Sequence, residues 1–261
     1  MLTSARDGTK YMLRKWYTGR ECDVKKEQDI LESVRNLALL HQHLKWRDMC
    51  SIEKAAILRP PVGRHLKEVY TCHNRELKKV RSYIRSRVHK SDFEYLYLEN
   101  FEHIYHLAER ITDRLAASEY GGLYRENVEA GAVIHGDYNY HNILHAGSGI
   151  ATTNFDQFQI DVQAQDLYYF LRKVMEKNQW RESLGLAMLE AYRCIRPLDE
   201  REMEYIALSL AYPEKFWKAA NTYYHRNKAW LPRKNVDKLQ LTVEQIEIKL
   251  QFLKNLFSFQ L

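Results

Sequence analysis

The stretch Val133-Ile134-His135-Gly136-Asp137-Tyr138-Asn139-Tyr140-His141-Asn142, followed by Thr153-Asn154-Phe155-Asp156 and then Asp166, concentrates the side chains that could carry chemistry. Phosphoryl transfer to a hydroxyl needs a loop Asp that accepts or orients the hydroxyl proton. It also needs an Asn five residues on that ligates magnesium, and a second Asp at the next strand end that bridges metal and phosphates. Asp137 and Asn142 have the types and the spacing of the first two.

The elements that position this stretch follow from periodicity. Asp7-Gly8 suits a two-residue turn, and the aromatic-rich alternation of Tyr11 to Tyr17 predicts a strand that Gly19 ends. From about Asp23, expected to cap the first turn, Ile30, Val34, Leu37, Ala38 and His41 recur at helical spacing. Pro60-Pro61 and Gly63 mark a loop within residues 48 to 66, ahead of a basic helix around 67 to 88. Ser91 with Glu94 reads as a capping box for a long helix whose stripe is Tyr97, Phe101, Ile104, Tyr105, Ala108, Ile111 and Leu115. After Gly121-Gly122 the pattern changes to short apolar pieces at Ala132 to Ile134, Asn142 to Leu144 and Ile150 to Thr153, with Gly147-Ser148-Gly149 as a hairpin turn. Helices resume near Asp166, with start signals at Asp199/Glu202 and Thr242/Gln245. The fold class expected is α+β, mainly α.

Composition narrows the function. The 261 residues carry 45% hydrophobic side chains and only 10 Gly and 5 Pro, which predicts one soluble unit without a low-complexity linker. The net charge of +6 arises from interleaved Lys/Arg and Asp/Glu without long blocks, so nucleic acid is not an expected partner. Cys22, Cys50, Cys72 and Cys194 form no CxxC pair, and the 11 histidines form no HExxH, which argues against zinc sites and disulfide frameworks. Residues 1 to 25 lack a secretory pattern, and no stretch approaches the roughly 20 apolar residues that span a bilayer. Synthesis and retention in the cytoplasm are expected.

In its HGDxxxxN segment the chain resembles the aminoglycoside phosphotransferase and choline kinase superfamily, which has a protein-kinase-like fold. It is similar in particular to the CotS-type spore-coat kinase-like proteins, through Lys15 to Asp23, Asp166-Leu167 with Phe170 to Met175, and Tyr212 to Lys218. The resemblance implies Asp137 as the catalytic-loop Asp, Asn142 as a metal ligand, and His135 and Gly136 as residues that shape the loop. Asp166 would brace that loop as a structural carboxylate, and His141 would be structural. It implies residues 23–261 as the helical large lobe, with the catalytic loop at 133–156, and residues 1–22 as a remnant of the small lobe and hinge. Trp16 and Tyr17 would face adenine.

Two departures from the family pattern stand out. Asn154 occupies the place of the metal-binding Asp, and an amide lacks the negative charge that a hard divalent cation prefers. Asp156 is the nearby substitute, but an extended Asn154–Asp156 would hold the two side chains about 7 Å apart on one face. No glycine-rich phosphate-covering segment occurs, so most of the small lobe is expected to be absent. Two functions follow: a catalytically impaired binding or structural protein of the spore coat, and an ATP- and Mg²⁺-dependent phosphotransferase acting on a small-molecule hydroxyl. Partners are accordingly spore-coat proteins or a small phosphate acceptor. An apolar surface near Trp16 and Tyr17 would favour self-association.

Overall fold

The computed structural model describes residues 2–4, 10–12, 17–46, 60–147, 149–225 and 233–259. Strands β1 (Leu2–Ser4) and β2 (Lys10–Met12) pair antiparallel, from Leu2↔Met12 to Ser4↔Lys10. The Asp7-Gly8 turn and residues 13–16 of the expected strand lie outside the described residues, and Tyr17 is not in a strand. Strand β3 (Arg20–Glu21) follows and is fastened to the first helix by Arg20, whose guanidinium forms a two-pronged ion pair with Asp29. Those hydrogen bonds hold the Asp29 carboxyl at about 2, against the opposing effect of burial.

Helix α1 (Glu27–His43) buries the expected stripe of Ile30, Val34, Leu37, Ala38 and His41. Asp23 does not cap it. The N-cap is Lys26, and the Asp23 carboxylate instead accepts the Lys25 backbone N–H at 3.0 Å in the turn ahead of the helix. Helix α2 (Leu66–Ser86) precedes α3 (Asp92–Ala117), which starts on the Ser91/Glu94 capping box and buries its whole aromatic stripe. Gly121-Gly122 does not end the helical region. Both glycines sit in the first turn of α4 (Tyr120–Ala130), where buried Tyr120 and Leu123 anchor the helix and outweigh a glycine cost of about 1 kcal/mol per residue.

The remaining helices are α5 (Ala164–Met175), α6 (Glu182–Arg193), α7 (Glu200–Ala211), α8 (Glu214–His225) and α9 (Arg233–Phe257). Helix α7 begins on the Asp199/Glu202 capping box. Thr242 starts nothing: it lies inside α9, where its hydroxyl donates to the Lys238 carbonyl at 2.7 Å.

Short strands β4 (Val133–Ile134), β5 (Ile143–Ala146), β6 (Gly149–Thr152) and β7 (Gln159–Ile160) complete the chain. They form two small antiparallel sheets, β3-β5-β6 and β4-β7. One main core, with Leu37, Tyr97, Ile111, Phe170, Tyr192 and Phe216 fully buried, runs through the helices beneath these sheets. The protein is therefore a mainly α lobe on which a three-stranded and a two-stranded sheet hold the polar loops. No helix among the described residues is long and apolar enough to cross a membrane.

Candidate functional site

Asp166 organises the loop from the first turn of α5. Its carboxylate, 1% exposed, accepts the backbone N–H of His135 at 2.6 Å and of Gly136 at 3.0 Å. On its far side His41 Nε2 lies 3.2 Å from Asp166 Oδ2, and His41 Nδ1 lies 2.7 Å from the Tyr192 hydroxyl. Burial lowers the His41 pKa although Asp166 opposes it, so the neutral ring donates to Asp166 and accepts from Tyr192. This chain ties α1, α5 and α6 to the start of the loop.

The loop is then fixed residue by residue. His135 Nε2 donates to the Thr153 carbonyl at 2.8 Å, and its Nδ1 accepts the Asp137 backbone N–H at 3.2 Å, so the ring is spent on backbone. Gly136 adopts φ +78°, and a Cβ there would sit 2.1 Å from the Gln157 carbonyl oxygen. Tyr138 is buried and donates to the Ser33 carbonyl at 2.7 Å, which anchors the loop on α1. His141 Nδ1 lies 2.6 Å from Glu21 Oε2 and couples the loop to β3.

Asp137 is held from two sides by amides. Asn139 Nδ2 donates to Oδ1 at 2.9 Å, and Asn142 Nδ2 donates to Oδ2 at 3.0 Å and to the Asp137 carbonyl at 2.8 Å. The line continues outward, because Asn154 Nδ2 donates to Asn142 Oδ1 at 2.8 Å. Asn154 itself is left-handed, at φ 61° and ψ 55°, a conformation asparagine tolerates better than most residues. It caps a 3₁₀ turn over Phe155–Gln157, so the extended Asn154–Asp156 of the sequence reading does not occur. The same-face arrangement inferred from it falls away.

This donor set does not fit a resident Mg²⁺ ion. The Asn142 oxygen that would ligate it receives a hydrogen bond, and Asn154 presents a donor where an anionic oxygen is required. Among the described residues no group of three or more His, Cys, Asp or Glu could hold a metal ion. Trp16 lies outside the described residues. Tyr17 is half-exposed and precedes Gly19, where a Cβ would meet the His145 carbonyl oxygen at 2.8 Å, so this segment runs close along β5.

No family model matches the chain. In sequence it is 28% identical over 141 residues to spore coat protein S of Bacillus subtilis (strain 168), a match covering 53% of this chain and 40% of that protein. The matched stretch thus spans less than half the length of this curated relative. In structure, an aminoglycoside phosphotransferase from Alicyclobacillus acidocaldarius subsp. acidocaldarius DSM 446 aligns with a TM-score of 0.81 over 98% of this chain and 76% of that one, at 16% identity. The chain has a kinase-like fold and is similar over about half its length to spore coat protein S. Amicoumacin kinase hAmiN, solved with AMP-PNP, Ca²⁺ and Ami, aligns more loosely, at a TM-score of 0.53 over 91% of this chain and 64% of that one with 13% identity.

A cavity of about 450 Å³ opens beside the loop, bounded by Gly136, Asp166 and the ring of Tyr169. Tyr169 stands next to Asp137, and burial, followed by that carboxylate, pushes its phenol up to about 12. The sequence pattern did not single out Tyr169. It also passed over Asp161, which lines the cavity at 3% exposure. Asp161 Oδ1 accepts the Val162 N–H at 2.7 Å, and Gly63 packs so closely that a Cβ would fall 2.0 Å from Oδ2. An acid set between Ile160 and Val162 was the available signal.

Burial raises the Asp161 pKa from 3.8 to about 7, with the Val162 N–H opposing. The native state therefore binds more protons than the unfolded chain between about pH 4 and 7, and stability falls as pH rises through that window. Asp161→Asn removes the cost of the buried charge. At pH 8 the variant is expected to exceed wild type by up to about 4 kcal/mol, and near pH 4 the two should be equal. Denaturant unfolding at both pH values checks this, and an equal gain at pH 4 would contradict it.

Proposed function

We propose that this chain is a kinase-fold protein of the spore coat that binds a small molecule or a coat protein and is impaired in phosphoryl transfer. The observation that carries the proposal is the Asn154 amide donating at 2.8 Å into Asn142 Oδ1. It joins Asn154, Asn142 and Asp137 in an amide–carboxylate line in which the Asn154 nitrogen, not an anionic oxygen, faces Asn142. Positioning and neutralising the phosphates is nearly all that a kinase contributes to its reaction, so this substitution strikes the step that matters most. The spore-coat setting is drawn from the similarity to spore coat protein S of Bacillus subtilis.

A second reading, an active ATP- and Mg²⁺-dependent phosphotransferase, draws on one arrangement. The Asp137 carboxylate is oriented by two amides beside a cavity large enough for a small hydroxyl-bearing acceptor. Calorimetry of the full chain with ATP, with and without Mg²⁺, separates the two. The expected result is binding that Mg²⁺ improves by less than about threefold, with no phosphate transferred. Tight Mg²⁺-dependent binding together with transfer that Asp137→Ala abolishes would establish the second reading.

A further inference from the structure

A second cavity, of about 710 Å³, opens between α8 and α9 and shares Lys218 with the cavity beside the catalytic loop. Four lysines line it: Lys215 and Lys218 from α8, and Lys234 and Lys238 from the first turns of α9. None of the described residues that line it is acidic. Lys215 pairs with Glu176 at 2.8 Å and Lys218 with Glu214 at 2.5 Å, which leaves each ammonium two further protons to donate. Lys234 and Lys238, four residues apart on one helix face, have no carboxylate partner among the described residues. Like charges at that spacing repel, so the arrangement costs stability unless an anion relieves it.

Two further features point the same way. The 25-residue helix α9 begins beside the cavity with no acidic residue in its first turn, so its dipole adds to the positive field. Asn235, in that turn, keeps a buried amide nitrogen with no partner among the described residues. The floor is different in kind, being formed by the rings of Phe93 and Tyr223. Glu94 beneath them is neutralised by Arg87 at 3.0 Å and by the Tyr223 hydroxyl at 2.5 Å.

We propose that this cleft is an anion site that takes a small molecule carrying a phosphate monoester on an aromatic or apolar body. Lysine ammoniums and helix N–H groups suit a compact dianion, and the aromatic floor gives the body a surface to cover. The inference is independent of the catalytic-loop reading, because nothing in this site calls for a divalent cation.

Calorimetry on the full chain at low salt, without Mg²⁺, tests it with phenyl phosphate and inorganic phosphate as probes. Phenyl phosphate should bind more tightly than inorganic phosphate. The double change Lys234→Gln/Lys238→Gln should weaken it by roughly tenfold, or about 1.4 kcal/mol, while Lys234→Arg/Lys238→Arg keeps binding. Lys79→Gln/Arg85→Gln, on the exposed face of α2, should leave it unchanged. No heat from phenyl phosphate at millimolar concentration, equal affinity for both probes, or an equal loss in the α2 variant would overturn the proposal. The four exchanged positions are solvent-exposed, and circular dichroism confirms that each variant is folded.

Discussion

Gly136→Ala is expected to destabilise the protein by about 3–5 kcal/mol and to lower its soluble yield sharply. Two costs combine. The backbone there is at φ +78°, a region that costs a residue with a Cβ about 1–2 kcal/mol. The added Cβ would also lie 2.1 Å from the Gln157 carbonyl oxygen, and a main-chain atom cannot swing aside as a side chain does. Either the 3₁₀ turn over Phe155–Gln157 or the loop must move, and the loop is clamped by Asp166 through both the His135 and the Gly136 N–H. Gly121→Ala is the control, since nothing lies within 4 Å of its Cβ position and it sits in the first turn of α4. It should be neutral or gain up to about 1 kcal/mol. Chemical unfolding of the two variants side by side gives the comparison. Equal stability would mean that the loop glycine answers to no steric demand.

The sequence was most legible where a local rule and a tertiary contact agree. Ser91/Glu94 and Asp199/Glu202 each stand directly ahead of a buried stripe, and both capping boxes form. Thr242/Gln245 carries the same pattern but has no break before it, so the helix runs through and Thr242 bonds within it. Gly121-Gly122 misled for the converse reason, because packing of Tyr120 and Leu123 overrides two poor helix formers. Within the site, the spacing of Asp137 and Asn142 predicted neighbours that do meet, at 3.0 Å. The left-handed turn at Asn154 could not be read, since whether Asn154 to Asp156 is extended depends on where the chain must go next. Tyr169 escaped because its role comes from α5 being folded against the loop, which local pattern does not record, whereas Asp161 left one local trace, an acid between two apolar residues just after β7.

The three asparagines explain how the loop remains ordered without a cation. Asn139 and Asn142 each give the Asp137 carboxylate a donor, and Asn154 in turn supplies Asn142 Oδ1 with one. A carboxylate at position 154 would leave two acceptors facing each other unless a cation or a proton came between them. The amide at position 154 supplies a hydrogen bond in place of a charge, and one substitution exchanges the two.

Asn154→Asp should convert the site from metal-indifferent to metal-responsive. Without Mg²⁺ the variant loses the donor to Asn142 Oδ1 and sets a negative charge against that oxygen, at a cost of about 1 kcal/mol for an exposed position. With millimolar Mg²⁺ the aspartate and Asn142 can turn their oxygens to one ion, and binding to the native state alone raises stability by mass action. The expected result is a thermal midpoint that rises with Mg²⁺ in the variant and stays flat in wild type. Mg²⁺-dependent ATP affinity should likewise improve by about tenfold in the variant, close to 1.4 kcal/mol. Aspartate tolerates the left-handed backbone at φ 61°, so the change tests charge and leaves the turn intact. Turnover is not the readout, because phosphoryl transfer depends on positioning all of the phosphates and charge at one ligand does not supply that. Should Mg²⁺ stabilise wild type as much as the variant, Asn154 would not be the limiting ligand, and the case for impaired phosphoryl transfer would lose its main support.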